Sequence, residues 1–338
     1  MKAVVLEGPG QAAVQTIPEP LPAGPDEILL QVRMVGLCGS DLNSYRGRNP
    51  LVRFPRIPGH EVAAIVAEPN PAYPEWQPGT PVTLSPYTSC GRCSACRRGR
   101  PNACQSNQTL GVQRDGALTQ RLAVPASRLY RADLTLKSLC LVEPLTVGFH
   151  ASARGRVAPG DKVAVFGCGG VGLGAVAGAA FRGATVVGLD VDDAKLATAR
   201  KAGAAHTINT TRCDLHEQLA ELTNGQGPDV TIEAIGRPQT FRAAVEEVAF
   251  AGRVVYIGYA KEQVTYETRL FVQKELDILG SRNALPEDFR DVIRMLEANR
   301  FPVEEAVTHM VPMEDAPAIL EMWNLEPAQF TKIIIEVD

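Results

Sequence analysis

Val163-Ala164-Val165-Phe166-Gly167-Cys168-Gly169-Gly170-Val171-Gly172 decides how the second half of this chain folds. The opening apolar run reads as a short buried strand, and the glycines follow it without a break. G-x-G-x-x-G at 167–172, placed after a strand and opening a helix, is the pattern of a turn that receives a dinucleotide pyrophosphate. Gly167 permits the tight turn, Gly169 lets backbone approach the phosphates, and Gly172 lets helix pack on strand. Gly170 and Val171 begin the helix, whose unpaired N–H groups face the anion. Asp190 ends the next strand, where a carboxylate accepts hydrogen bonds from a ribose 2′-OH and repels a 2′-phosphate. The expected cofactor is therefore NAD rather than NADP, and Lys195 completes the cofactor-binding set.

Outward from this turn the rhythm continues. Strands Thr185–Asp190, Val230–Ala234, Val254–Gly258 and Leu276–Gly280 alternate with helices Val171–Arg182, Asp193–Ala202 and Pro238–Ala249. Continuous apolar strands alternating with helices predict a parallel sheet covered on both faces. Before residue 145 the chain is β-rich. Ala3–Leu6, Glu27–Val35 and Val62–Ala67 read as strands, punctuated by Gly8-Pro9-Gly10 and Pro18–Pro25. From Pro286 a helix, a strand and another helix lead to a closing strand at Lys332–Val337.

At 338 residues the chain is long enough for two domains with their own cores. A net charge of −4 gives no basic field for nucleic acid or an anionic membrane. The longest apolar run, Val171–Phe181, is too short to span a bilayer, and Met1–Gln11 lacks the apolar stretch of a signal peptide. A cytoplasmic protein with reduced thiols is expected.

Cys90, Cys93, Cys96 and Cys104 form C-x2-C-x2-C-x7-C. So short a segment builds no core, but four thiolates can enclose one zinc ion. A disulfide pair would need a secreted chain, and an iron–sulfur cluster is better served by a shorter last gap followed by proline, where Gln105 stands here. Arg92, Arg97, Arg98 and Arg100 read as a solvated rim on this lobe, placed at about residues 88–106. Residue types suited to a second metal lie elsewhere: Cys38-Gly39-Ser40-Asp41, Gly59-His60-Glu61 and Glu143-Pro144. Three such ligands leave a fourth position open for substrate. Their spacing alone does not assemble them, and His60 alone could serve as a core histidine.

Together these motifs resemble the zinc-dependent medium-chain dehydrogenase/reductase superfamily, which includes alcohol, sorbitol and threonine dehydrogenases. The likeness runs across essentially the whole chain. It implies a GroES-like β-barrel catalytic domain at 1–144 and 282–338 and a Rossmann domain, a doubly wound parallel sheet, at 145–281. It also implies two zinc ions per chain, one structural and one catalytic, the latter held by Cys38, His60 and either Glu61 or Glu143. A glutamate at 143, where liver-type alcohol dehydrogenases have cysteine, is similar to the polyol branch. Asn43 departs from the pattern, standing where liver-type enzymes carry a proton-passing histidine, as do Ala64 in place of a glycine and the proline-rich Glu68–Thr80.

The expected chemistry is oxidation of a CH–OH group, with zinc as Lewis acid and hydride passing to the nicotinamide. Ser40 would hydrogen-bond the substrate oxygen and start the proton relay; its alternative is a turn-capping serine. Gly280-Ser281-Arg282-Asn283 resembles the segment that lies over substrate in polyol dehydrogenases, and Ala284–Phe289 is similar to L-galactonate dehydrogenase. Arg282 is a candidate for a sugar-acid carboxylate and Asn283 for hydroxyls, with Tyr45 as a further contact. Arg282 serves cofactor phosphates or a local acid equally well. His309 reads as structural, and His206 and His216 as surface. The substrate expected is thus a sugar acid or polyol. Threonine or a simple alcohol is the alternative, or a non-catalytic binding role. Family likeness implies a homodimer or homotetramer.

Overall fold

The computed structural model describes residues 1–20 and 24–338; Leu21, Pro22 and Ala23, inside the expected Pro18–Pro25 turn cluster, lie outside them. The chain packs as two units, Met1–Glu143 with Val303–Asp338, and Pro144–Pro302. Among the described residues no helix is long and apolar enough to cross a membrane.

In the first unit, β1 (Lys2–Gly8) and β2 (Gln11–Thr16) form an antiparallel hairpin. The remaining strands are β3 (Glu27–Leu37), β4 (Glu61–Val66), β5 (Pro81–Leu84), β6 (Arg121–Pro125) and β7 (Leu129–Arg131), with β14 (His309–Pro312) and β15 (Ile333–Glu336) from the C-terminal end. They make a seven-stranded sheet in the order β14-β15-β3-β4-β5-β7, with β6 also on β3. Along β3 the side chains alternate as a half-buried strand requires, so Ile28, Leu30 and Val32 enter the core. A register shift against β4 between Val32 and Met34 then resets the alternation, and Val35, Gly36 and Leu37 are all buried. That bulge carries the chain into Cys38. Gly36 sits opposite Glu61 in the β3–β4 register. A Cβ on Gly36 would fall 2.0 Å from Glu61 Oε2, so only glycine leaves room for that carboxylate.

The second unit holds β8 (Lys162–Phe166), β9 (Thr185–Asp190), β10 (His206–Asn209), β11 (Val230–Glu233), β12 (Arg253–Tyr256) and β13 (Asp277–Gly280). They form one six-stranded parallel sheet in the order β10-β9-β8-β11-β12-β13. Strand order reverses between β8 and β11, and ligands of such sheets bind beyond the strand ends at that point. The α/β class with its Rossmann sheet is as expected from the sequence.

The helix Pro286–Glu297 belongs to this second unit, although the sequence reading returned the chain to the first domain at 282. The physical reason is a buried pair. Asp288 accepts the Leu285 N–H at its own helix start, and the same oxygen lies 2.8 Å from His150 Nδ1 on the helix Val142–Arg154.

Candidate active site

Cys38 precedes the helix Gly39–Tyr45, and its backbone N–H donates to Asp41 Oδ2 at 2.8 Å. The other Asp41 oxygen accepts the Gly59 N–H at 3.4 Å and lies 3.8 Å from His60 Nδ1. One buried carboxylate thus ties together the two segments that carry Cys38 and His60. Donor atoms of Cys38, His60 and Glu61 all lie within 4.8 Å of one another. Both Glu61 oxygens sit 2.6 Å from the Lys332 ammonium on the segment entering β15, which also donates to the Leu37 carbonyl at 3.3 Å. Glu143, in the first turn of Val142–Arg154, accepts a hydrogen bond from the Tyr87 hydroxyl.

Cys38 is half-buried, while Asp41, His60, Glu61, Tyr87, Glu143 and Lys332 are shut away from water, so their charges act on one another at low dielectric. Burial disfavours an imidazolium at His60, but Asp41, the Cys38 sulfur and Glu143 outweigh it and hold the ring well above its ordinary pKa. Burial pushes Glu143 up to about 7, with His60 opposing and Glu61 adding to the rise. For Lys332, burial is outweighed by Glu61 and Cys38, so it stays a cation above its ordinary value. His60 Nδ1 is buried with no hydrogen-bond partner. Acidic groups in excess, an unpartnered imidazole nitrogen and an S/N/O donor set are what a zinc ion satisfies.

In the cysteine lobe the four sulfurs also lie within 4.8 Å of one another. Cys93 Sγ is 3.5 Å from Cys96 Sγ and 3.9 Å from Cys104 Sγ, far beyond a disulfide bond of about 2.05 Å. The edges of a tetrahedron built on 2.3 Å zinc–sulfur bonds are about 3.8 Å. Backbone N–H groups of Cys90 and Ser106 each donate to Cys104 Sγ at 3.3 Å. Cys93 is lowered to about 6 by the N–H groups of Cys96 and Gln105. The lobe fits a structural zinc, and its arginines are exposed as a rim.

At the nucleotide turn, Gly167 has φ +94°, which glycine adopts without cost. A Cβ on Gly172 would meet the Gly167 carbonyl at 1.8 Å, so helix and strand pack as closely as the spacing requires. Around Gly169, by contrast, nothing lies within 4 Å of a built Cβ, which leaves its backbone open to phosphates. Gly170 and Val171 open the helix Gly170–Phe181. Asp190 accepts the Cys168 N–H on one oxygen and those of Val191 and Asp192 on the other. The carboxylate is thereby fixed at the end of β9 beside the turn. Lys195 is half-buried in the first turn of the helix Asp193–Lys201.

Comparison with known proteins agrees on both units. Residues 24–133 match the alcohol dehydrogenase GroES-like domain, and residues 170–298 match the zinc-binding dehydrogenase family. Sorbitol dehydrogenase of Bacillus subtilis is 35% identical over 288 residues, 83% of this chain and 81% of that protein. The chain belongs to the zinc-type medium-chain dehydrogenases. L-galactonate-5-dehydrogenase of Escherichia coli is 30% identical over 313 residues, 92% of each chain. A solved Escherichia coli CFT073 alcohol dehydrogenase complexed with NADH superposes with a TM-score of 0.90 at 28% identity, covering 99% of both chains. A medium-chain dehydrogenase of this kind is an oxidoreductase acting on CH–OH groups with a nicotinamide dinucleotide.

Not every residue singled out from sequence joins the dehydrogenase's metal cluster. Tyr45 is 5% exposed and its hydroxyl donates to the Gly10 carbonyl at 3.1 Å, so it is spent on packing the hairpin loop against its helix. Ser40 is half-buried, two positions beyond Cys38, and its hydroxyl caps no turn among the described residues. Arg282 is exposed and Asn283 has φ +53°, both just past β13. His309 packs against Phe330 with ring centres 4.5 Å apart and planes tilted by 41°, in keeping with a structural role. Sequence reasoning missed Tyr87 and Lys332. For Lys332 the one local signal is its place directly ahead of the apolar run Ile333-Ile334-Ile335.

Proposed function

We propose that this dehydrogenase oxidises a secondary alcohol of a sugar acid or polyol to the ketone, with NAD as the preferred acceptor. The observation that carries the reaction type is the cluster in which donors of half-buried Cys38 and buried His60 and Glu61 lie within 4.8 Å of one another. These residues, with Glu143 as the other carboxylate, would hold the catalytic zinc, and Cys90, Cys93, Cys96 and Cys104 the structural one. When bound, the catalytic zinc supplies Lewis acidity to a hydroxyl oxygen and the nicotinamide supplies the hydride acceptor.

The chain's own residues do the rest. Asp41 orients His60 and the Cys38 turn together. Ser40 accepts the hydroxyl proton's hydrogen bond and begins its passage outward. Alanine at this position is expected to lower kcat by about 10²-fold or more with KM little changed. Steady-state rates would decide it, and unimpaired turnover would remove Ser40 from the relay. Arg282 is assigned the carboxylate of a sugar acid or the cofactor phosphates, and Asn283 a hydroxyl. Support for the substrate class comes from the relatives named for sorbitol and L-galactonate.

NAD preference rests on Asp190, whose charge at the end of β9 opposes a 2′-phosphate. The kcat/KM ratio is expected to favour NAD at least tenfold, and to collapse in Asp190→Ala; equal efficiency in the wild type would refute the assignment. The open edge of β13, with Ile278 40% exposed, supports self-association through the second unit, which sedimentation would read directly. The functional test is NADH formation across aldonates, polyols, threonine and simple alcohols, with a chelator-treated control. Chelator-sensitive turnover on one hydroxy-acid or polyol class is the expected result. Turnover confined to threonine or simple alcohols would move the substrate assignment, and none at all would favour a binding role.

A further inference from the structure

Glu233 ends β11, and none of its surface reaches water. Its Oε1 accepts the N–H groups of Ile235 at 2.9 Å and Gly236 at 2.8 Å, and the Thr240 hydroxyl lies 2.7 Å away. Oε2 is buried with no hydrogen-bond partner, and no cation pairs with either oxygen among the described residues. Burial raises this carboxyl's pKa, while Gly236, Thr240 and Ile235 oppose the rise by favouring the ionised form. Room for the orphan oxygen comes from Gly258, where a Cβ would fall 2.4 Å from it. A buried charge held by dipoles alone is costly, and local costs of this kind concentrate at functional sites.

The charge also stands at the dinucleotide's end of the sheet. Ile235 covers the glycine turn, since a Cβ on Gly167 would meet its Cγ1 at 2.6 Å. β9 and β11 pair with β8 on opposite sides, so Asp190 and Glu233 flank that turn. With the adenosine ribose at Asp190 and the pyrophosphate at the turn, the nicotinamide half extends to the β11 side. Its ring is the part of the cofactor whose charge changes in the reaction: a cation in NAD⁺, neutral in NADH.

We propose that the Glu233 carboxylate is a fixed negative charge that favours the oxidised, cationic nicotinamide over the reduced, neutral one. The inference rests on the dinucleotide placement given above. A weaker hold on the neutral ring favours release of NADH after turnover. It also gives a reason for an orphaned buried oxygen that holding the Ile235–Gly236 turn does not require.

Binding reads this without any substrate: NADH by its fluorescence, NAD⁺ and ADP-ribose by displacement of NADH from the full-length protein. Glu233→Gln removes the charge and keeps the size of the side chain. It is expected to weaken NAD⁺ about 10-fold more than NADH, with ADP-ribose, which has no nicotinamide, following NADH. Glu233→Asp keeps the charge. All three ligands should weaken as the turn loosens, but the ratio of the NAD⁺ and NADH dissociation constants should stay within about twofold of the wild type. An unchanged ratio in Glu233→Gln would overturn the proposal. Equal weakening of all three ligands there would do the same, because that is the mark of a carboxylate that only holds the turn. If Glu233→Gln does not fold, Glu233→Asp decides alone, and a ratio shifted by tenfold in it sinks the idea. A wild-type protein that binds none of the three ligands fails earlier, because the dinucleotide reading itself is then wrong.

Discussion

Serine in place of Cys38 is expected to cost the protein one of two zinc ions and to lower turnover by about 10³-fold or more. The magnitude follows from the chemistry. A Lewis acid is worth several kcal/mol at the reacting oxygen, and each 1.36 kcal/mol is tenfold in rate. Cys38 is the single sulfur in a group of three donors otherwise made of one imidazole and one carboxylate, and a serine hydroxyl is a poor replacement for it. Its position is fixed from outside, by the Asp41 carboxylate on its backbone N–H at 2.8 Å, so the fold should survive the change. Cys96→Ser should also take the metal count from two to one, but with a different signature. There the lost ion closes a segment too small to hold itself together, and the effect is a lower melting temperature. Metal analysis beside thermal melts separates the two sites. If Cys38→Ser kept both ions and its turnover, the catalytic assignment would be wrong.

How much of this was legible beforehand depends on how far apart the interacting residues stand. The glycine turn at 167–172 and the four cysteines are local patterns; Gly170 opens the helix Gly170–Phe181, and the four sulfurs lie within 4.8 Å of one another. Strands with a clean period of two or a continuous apolar run, such as Glu27–Leu37 and Thr185–Asp190, were visible to within a residue or two at their ends. β2 and β10 were not. Gln11–Thr16 is half-buried from Ala12 to Gln15 and exposed at both ends, with no alternating face, and His206–Asn209 is a four-residue edge strand with one buried side chain. The helix Leu215–Thr223 escaped notice although Asp214 caps it and Leu215, Leu219 and Leu222 recur at helical spacing to pack on the second unit's core. The return at 282 was placed too early for the packing. The tie that keeps Pro286–Glu297 with the parallel sheet is a His150–Asp288 pair separated by 138 residues. Tyr87 with Glu143 and Lys332 with Glu61 are pairs of the same kind, 56 and 271 residues apart, and no local period connects them.

Of those long-range pairs, Lys332 with Glu61 should dominate stability. Glu61 is 1% exposed and Lys332 6%, so neither charge can turn to water. Removing one partner from a buried ion pair leaves the other uncompensated, at a cost of about 3–5 kcal/mol. Lys332→Met keeps the length and apolar stem of the side chain and deletes only the charge. For a unit of this size it is expected to lower the melting temperature by roughly 6–20 °C. Adding Glu61→Gln should recover much of that loss, because the stranded charge is then gone as well. Zinc tells the same story from the other side. A divalent cation beside Glu61 compensates the charge that Lys332 no longer balances, so Lys332→Met should suffer more in metal-stripped protein than in zinc-loaded protein. Thermal melts of wild type, single and double variants, with and without zinc, contain the whole comparison. A Lys332→Met variant that melts with the wild type, or one that Glu61→Gln fails to rescue, would mean that the ammonium contributes only its packing. If instead the deficit shrinks when zinc is present, lysine and metal are two cations serving one cluster of acids, and Lys332 keeps that cluster folded whenever the ion is away.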